Sequence, residues 1–142
     1  MEKITIKGRG ACKGFAAAEA VVCPESILGM VGLDVDTGVI VERGHSQKGQ
    51  CITGKILVLP CSKGSCGWSC HFHSAKVKGN TPAAWLFSKM DSKTGVVSAI
   101  FDIPVVADFP DDIDLFSLIQ TGDFVEVNGT TGEVTITKKG EV

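Results

Sequence analysis

The chain has 142 residues, 44% of them hydrophobic and 21% charged, with net charge −2 and mean hydropathy +0.22. That balance fits a single globular domain over 1–142 with enough apolar residues for a real core, and it excludes a disordered chain or one drawn to nucleic acid by a basic field. No apolar run nears the roughly 20 residues that span a bilayer, Met1-Glu2-Lys3 opens no export signal, and the six cysteines therefore read as reduced thiols of a cytoplasmic protein with no membrane partner.

Lys3 to Lys7 sets Ile4 and Ile6 against polar neighbours, the period-2 pattern of a half-buried strand. Gly8-Arg9-Gly10 and Gly14 follow as G-x-G-x-x-x-G, one residue off the dinucleotide fingerprint, with Asp34 and Asp36 about twenty residues on. Phe15 to Val22 ends in two valines between Gly14 and Pro24 and reads as a strand, which leaves the glycines as a turn between two strands. Residues 24–53 are loop-rich. Their D-x-D-x-G fragment lacks the other ligands of a calcium loop, so Asp36-Thr37-Gly38 is a turn into Val39-Ile40-Val41. His45, between Gly44 and Ser46, reads as a solvated loop histidine.

Ile56-Leu57-Val58-Leu59 is a buried strand that Pro60 ends, and Lys63-Gly64-Ser65-Cys66-Gly67 crosses into a helix over Trp68 to Lys78, stopped by Gly79-Asn80. Ala83 to Phe87 reads as another buried strand. Val96 to Phe101 and Ile103 to Val106 are further apolar runs, Pro104 placing the second at an edge or strand start. Asp112 to Leu118 allows one or two helical turns capped by Asp111 or Asp112. Asp123–Asn128 and Glu133–Lys138 alternate strictly and close as a hairpin over Asn128 to Gly132. The sum is a strand-rich α+β fold, a β/β/α layering or mixed open barrel with one main helix.

The chemistry concentrates where the strand at 56–59 gives way to the helix at 68. The first turn of a helix has backbone N–H groups without internal partners, which makes this corner a place for an anion. Cys61, Cys66, Cys70, His71 and His73 also fall here, but their spacing matches neither zinc knuckles nor plant-type iron–sulfur sites. On a helix Cys66 and Cys70 share a face while His71 and His73 diverge, so the cysteines read as small buried hydrophobes and no metal is assigned to this chain. Lys63-Gly64-Ser65-Cys66-Gly67 has lysine where a nucleophile elbow needs its first glycine. Ser65 at a helix N-terminus could serve as a base if its alkoxide were stabilised, yet no opposing acid stands in the chain. A site shared with a second polypeptide follows from that gap.

The set Gly38-Val39-Ile40, Gly54-Lys55-Ile56-Leu57-Val58, Lys63-Gly64-Ser65, Thr81-Pro82-Ala83-Ala84, Ile103-Pro104-Val105 and Gly122 to Val127 resembles, in order and along nearly the whole chain, the small subunit of aconitase X-type enzymes. That subunit is equivalent to the swivel domain of aconitases. The resemblance implies a swivelling β/β/α domain closing over a large catalytic subunit, as a heterodimer or higher assembly, with an iron or iron–sulfur centre on that large subunit. It implies a dehydratase reaction in which Ser65, matching the first serine of a Gly-Ser-Ser-Arg motif, is the base. Lys63 and the amides of Gly64, Cys66 and Gly67 would then bind a small anionic substrate. Cys66 replaces the second serine of that motif and Gly67 its arginine, so a substrate with fewer carboxylates than citrate is expected. With Lys63 the only cation evident, cis-3-hydroxy-L-proline is the first expectation and mevalonate 5-phosphate the second. A non-catalytic anion- or metal-binding module is the competing class.

Overall fold

The computed structural model describes residues 2–64 and 66–139. Ten strands and three helices follow one another: β1 (Lys3–Lys7), β2 (Arg9–Cys12), β3 (Phe15–Val22), β4 (Leu33–Asp34), β5 (Val39–Ile40), β6 (Ile56–Leu59), α1 (Trp68–Val77), β7 (Ala84–Phe87), α2 (Ser92–Ile100), β8 (Val105–Ala107), α3 (Leu115–Leu118), β9 (Phe124–Asn128) and β10 (Glu133–Thr137). Eight strands form one mixed sheet in the order β1-β10-β9-β3-β6-β7-β8-β2. β3, β6, β7 and β8 run parallel, and the remaining pairs in the sheet are antiparallel.

The pleat divides the sheet's side chains between two cores. Leu57, Leu59, Trp85, Phe87, Val105 and Ala107 pack with Trp68, Phe72, Ala75 and Val97 of the two long helices. Ile56, Val58, Ala84, Leu86 and Val106 face the other way, toward Val125, Val127, Val134, Ile136, Leu115 and Ile119. Strands β6 and β7 are therefore covered on both faces, which is why they read as unbroken apolar runs rather than alternating ones. Each large side chain so enclosed contributes roughly 1.5–3 kcal/mol relative to exposure.

The β1–β2 and β2–β3 connections both meet the β9–β10 turn. Gly8 N–H donates to the Gly132 carbonyl and Gly129 N–H to that of Gly14, at 2.9 and 2.8 Å. A side chain on Gly129 would collide with the Cys12 carbonyl, so the backbones cross only because no Cβ intervenes. This accounts for the near-miss fingerprint: Gly10 serves a close approach to Gly129, and Arg9 to Cys12 is a strand in its own right instead of part of a turn.

Helix α1 ends as expected. Gly79 (φ +84°) and Asn80 donate back to the carbonyls of Lys76 and Ala75, a Schellman stop. The apolar run from Val96 is different. It belongs to helix α2, so the fold has two long helices rather than one. Asp91 caps it, accepting from Thr94 N–H while the Thr94 hydroxyl accepts from Asp91 N–H, and this reciprocal cap overrides the β-branched content of Thr94, Val96 and Val97. Pro104 sits immediately before β8, at a strand start. The cap of α3 is Asp114, not Asp111 or Asp112.

Candidate functional site

β6, α1 and β7 form a parallel strand–helix–strand unit, and β7, α2 and β8 form the next. Both loops that leave β6 and β7 thus lie at the carboxyl ends of adjacent parallel strands, where open α/β sheets place ligands. The first of these loops is 61–67. Ser65 lies outside the described residues; its neighbours Gly64 and Cys66 are both exposed.

The loop is fastened residue by residue. Ser26 Oγ donates to the Cys61 carbonyl at 2.6 Å. Ser62 donates through both N–H and Oγ to Asp91 Oδ2, at 2.9 and 2.7 Å. Lys93 Nζ donates to the Lys63 carbonyl at 3.3 Å, and Gly29 N–H to the Gly64 carbonyl at 2.9 Å. Lys63 Nζ reaches Glu42 Oε2 at 2.8 Å, while Glu42 Oε1 accepts from Leu28 N–H at 2.6 Å. Beyond the loop, the buried Trp68 indole donates to the Ile27 carbonyl at 2.8 Å. The 26–29 turn, with Ser26 in the left-handed region at φ 60°, and the N-cap of α2 thus clamp the loop from two sides.

Gly67 is the N-cap of α1. It offers no side chain to cap the helix, and the first turn carries no acidic residue, so among the described residues no side chain caps the helix's opening N–H groups. Carboxylates nearby are held ionised. Burial raises the Glu42 carboxyl's pKa, but Leu28 N–H and the Lys63 ammonium outweigh it and the net shift is downward. At Asp91 burial is likewise outweighed, by Thr94 and Ser62.

The histidines and cysteines resolve differently from the sequence expectation. His45 is buried, not solvated. Its Nδ1 accepts from Gln47 N–H at 2.9 Å, so Nε2 carries the proton that it donates to the Ser26 carbonyl at 2.6 Å. It supports the clamping turn from behind. His71 Nε2 contacts the Leu33 carbonyl and so turns from the cysteine face, but His73 is exposed and lines one concavity with Cys70, because residues three apart share a helix face. Of the cysteines at the corner, Cys66 and Cys70 are exposed and Cys61 half-buried rather than packed in the core; burial and then Asp91 raise the Cys61 thiol's pKa. Among the described residues no group of three His, Cys, Asp or Glu side chains could hold a metal ion. This chain's described residues therefore do not fit an iron centre. No described helix is long and apolar enough to cross a membrane.

Against the loop lies an apolar rim. Leu28, Gly29, Met30, Val31 and Gly64 line an open concavity of about 340 Å³, with Met30 77% and Val31 66% exposed.

The profile of the aconitase X swivel domain family matches residues 5–136. The chain belongs to that family. This swivel domain is 33% identical over 141 residues to the phosphomevalonate dehydratase small subunit of Methanosarcina mazei, covering 99% of this chain and 96% of the relative. It is 35% identical to the small subunit of the same name from Pyrococcus furiosus, over 96% and 98% of the two chains. The crystal structure of Thermococcus kodakaraensis aconitase X in its holo-form superposes with a TM-score of 0.85 at 32% identity, over 95% of this swivel domain and 99% of that chain.

The structure brings Lys63, Gly64, Cys66 and Gly67 together at one corner. It adds four residues that sequence reasoning missed. Asp91 had a local signal in its Asp-x-x-Thr spacing. Glu42, Ser26 and Lys93 had none, being single polar residues remote in sequence from the loop they hold.

Proposed function

We propose that this swivel domain is the small subunit of a hydro-lyase acting on mevalonate 5-phosphate, with an active site completed by a large subunit that carries the iron or iron–sulfur centre. The observation that carries the reading is the match, over nearly the whole length of both chains, to small subunits named phosphomevalonate dehydratase. The expectation of hydroxyproline gives way for two reasons. None of the relatives described bears that name, and the corner has two ammonium groups rather than one, since Lys93 reaches the Lys63 carbonyl beside Lys63 itself. Paired cations suit a substrate carrying both phosphate and carboxylate.

In this reading Ser65 takes the proton from carbon as an alkoxide and becomes a neutral hydroxyl. Hydroxide leaves the neighbouring carbon, and proton and hydroxide together make the water lost. The open N–H groups at the start of α1 and its dipole favour the alkoxide and a substrate oxyanion alike. Lewis-acid help for the departing hydroxide belongs to the large subunit. The apolar rim at Leu28, Met30 and Val31 supports such a partner, because it borders the loop and leaves two large hydrophobic side chains in water.

Coexpression with the large subunit, followed by dehydration assays on both substrates, tests the proposal. Water loss from mevalonate 5-phosphate alone is the expected result. Turnover of cis-3-hydroxy-L-proline alone would overturn the substrate assignment, and a self-sufficient monomer inert toward both would overturn the enzymatic one.

A further inference from the structure

Glu42 sits behind the substrate-binding loop, and the loop's lysine is not free. The Glu42 side chain is 9% exposed and that of Lys63 35%. One carboxylate oxygen is tied to Leu28 N–H on the clamping turn and the other to Lys63 Nζ on the loop. An ammonium has three donors, and Glu42 takes only one of them. The partly exposed remainder is left for an anion arriving from the open side. A lysine stem is long and flexible, so without this tether the charge would have no fixed address. A lone ammonium would also be costly to enclose if a partner closed over the corner, whereas one already paired with a carboxylate is less so.

We propose that Glu42 is a positioning residue that sets Lys63 for the substrate's anionic group while making no contact with substrate itself. The inference rests on the loop being the substrate-anion site. Glu42→Gln is the discriminating change: its carboxamide oxygen can still accept from Leu28 N–H, but its NH₂ now faces the ammonium and releases it. In the two-subunit enzyme this variant raises KM about tenfold with kcat changed less than about threefold, the signature of lost binding. Lys63→Met gives a similar loss, and adding it to Glu42→Gln changes KM by less than about twofold. Independent, multiplying losses would overturn the proposal, as would a normal KM in Glu42→Gln.

A second readout needs no activity. In the full chain alone, acylation by an N-hydroxysuccinimide ester, followed by peptide mass spectrometry, modifies Lys63 more slowly than the exposed Lys48, and Glu42→Gln removes the difference. Equal reactivity of Lys63 and Lys48 in the unmutated chain overturns the proposal even if the variant does not fold. If the unmutated complex turned over neither substrate, the functional reading would fail, and the labelling would still decide whether Glu42 holds Lys63.

Discussion

Ser62 gives both its amide and its hydroxyl to one oxygen of Asp91, 29 residues away, so a single carboxylate starts helix α2 and fixes the loop after β6. Removing it breaks two devices together. Asp91→Ala is expected to lower stability by about 2–3 kcal/mol, a lost cap plus two charge-assisted hydrogen bonds. Ser62→Ala spares the cap and costs about 1 kcal/mol. Denaturant unfolding of both variants checks this, and the reverse order would mean the loop, not the helix, carries the larger share.

Acid should act through the same groups. Burial raises the Asp91 carboxyl's pKa, but the Thr94 and Ser62 donors bring it below its ordinary value. Asp123 follows suit, its burial outweighed by Lys138, Lys139 N–H and Gln120 N–H. A carboxyl depressed by folding contributes stability above its unfolded pKa of about 4, and that contribution is lost as pH falls through the folded value. Unfolding midpoints should therefore be flat near neutrality and drop below about pH 4. Asp91→Asn should show a shallower acid decline from a lower plateau.

The proposed function gives Ser65 the proton-transfer role, by its place in the motif. With the large subunit, Ser65→Ala should lose on the order of a thousandfold in kcat while the complex still assembles, in line with loss of a general base. Steady-state kinetics beside size-exclusion chromatography checks both halves. Near-normal turnover would remove Ser65 from the role.

Met30 and Val31 stand in water beside the loop. A carboxylate at position 30 leaves the isolated chain's fold intact, because that side chain packs against little, but it should weaken association with the large subunit about tenfold or more. Titration of the partner against Met30→Asp measures it. Unchanged affinity would place the subunit contact elsewhere.

Much of this domain was legible from short-range pattern. Alternation at Lys3–Lys7 and in the 124–137 hairpin fixes strands, because one buried face imposes period 2. Ile56–Leu59 followed by proline, small residues and Trp68 fixes a strand, a turn and a helix, because each depends on neighbours a few residues apart. Helix α2 was missed since its cap is an aspartate–threonine pair and its body holds glycine and valines, residues that weaken a helix until tertiary contact supports it. His45 was misjudged because burial is a property of what lands on a residue, not of its polar neighbours.

By itself the sequence determined most of the strands, though not Arg9–Cys12, together with the first helix and the lysine–glycine–serine loop, all matters of local spacing and backbone chemistry. Only the tertiary structure decided what holds that loop. Lys63 meets Glu42 across 21 residues, Cys61 meets Ser26 across 35, and Trp68 meets Ile27 across 41. Pairings at such separation exist because the sheet has formed and the helices have docked, and no periodicity along the chain encodes them.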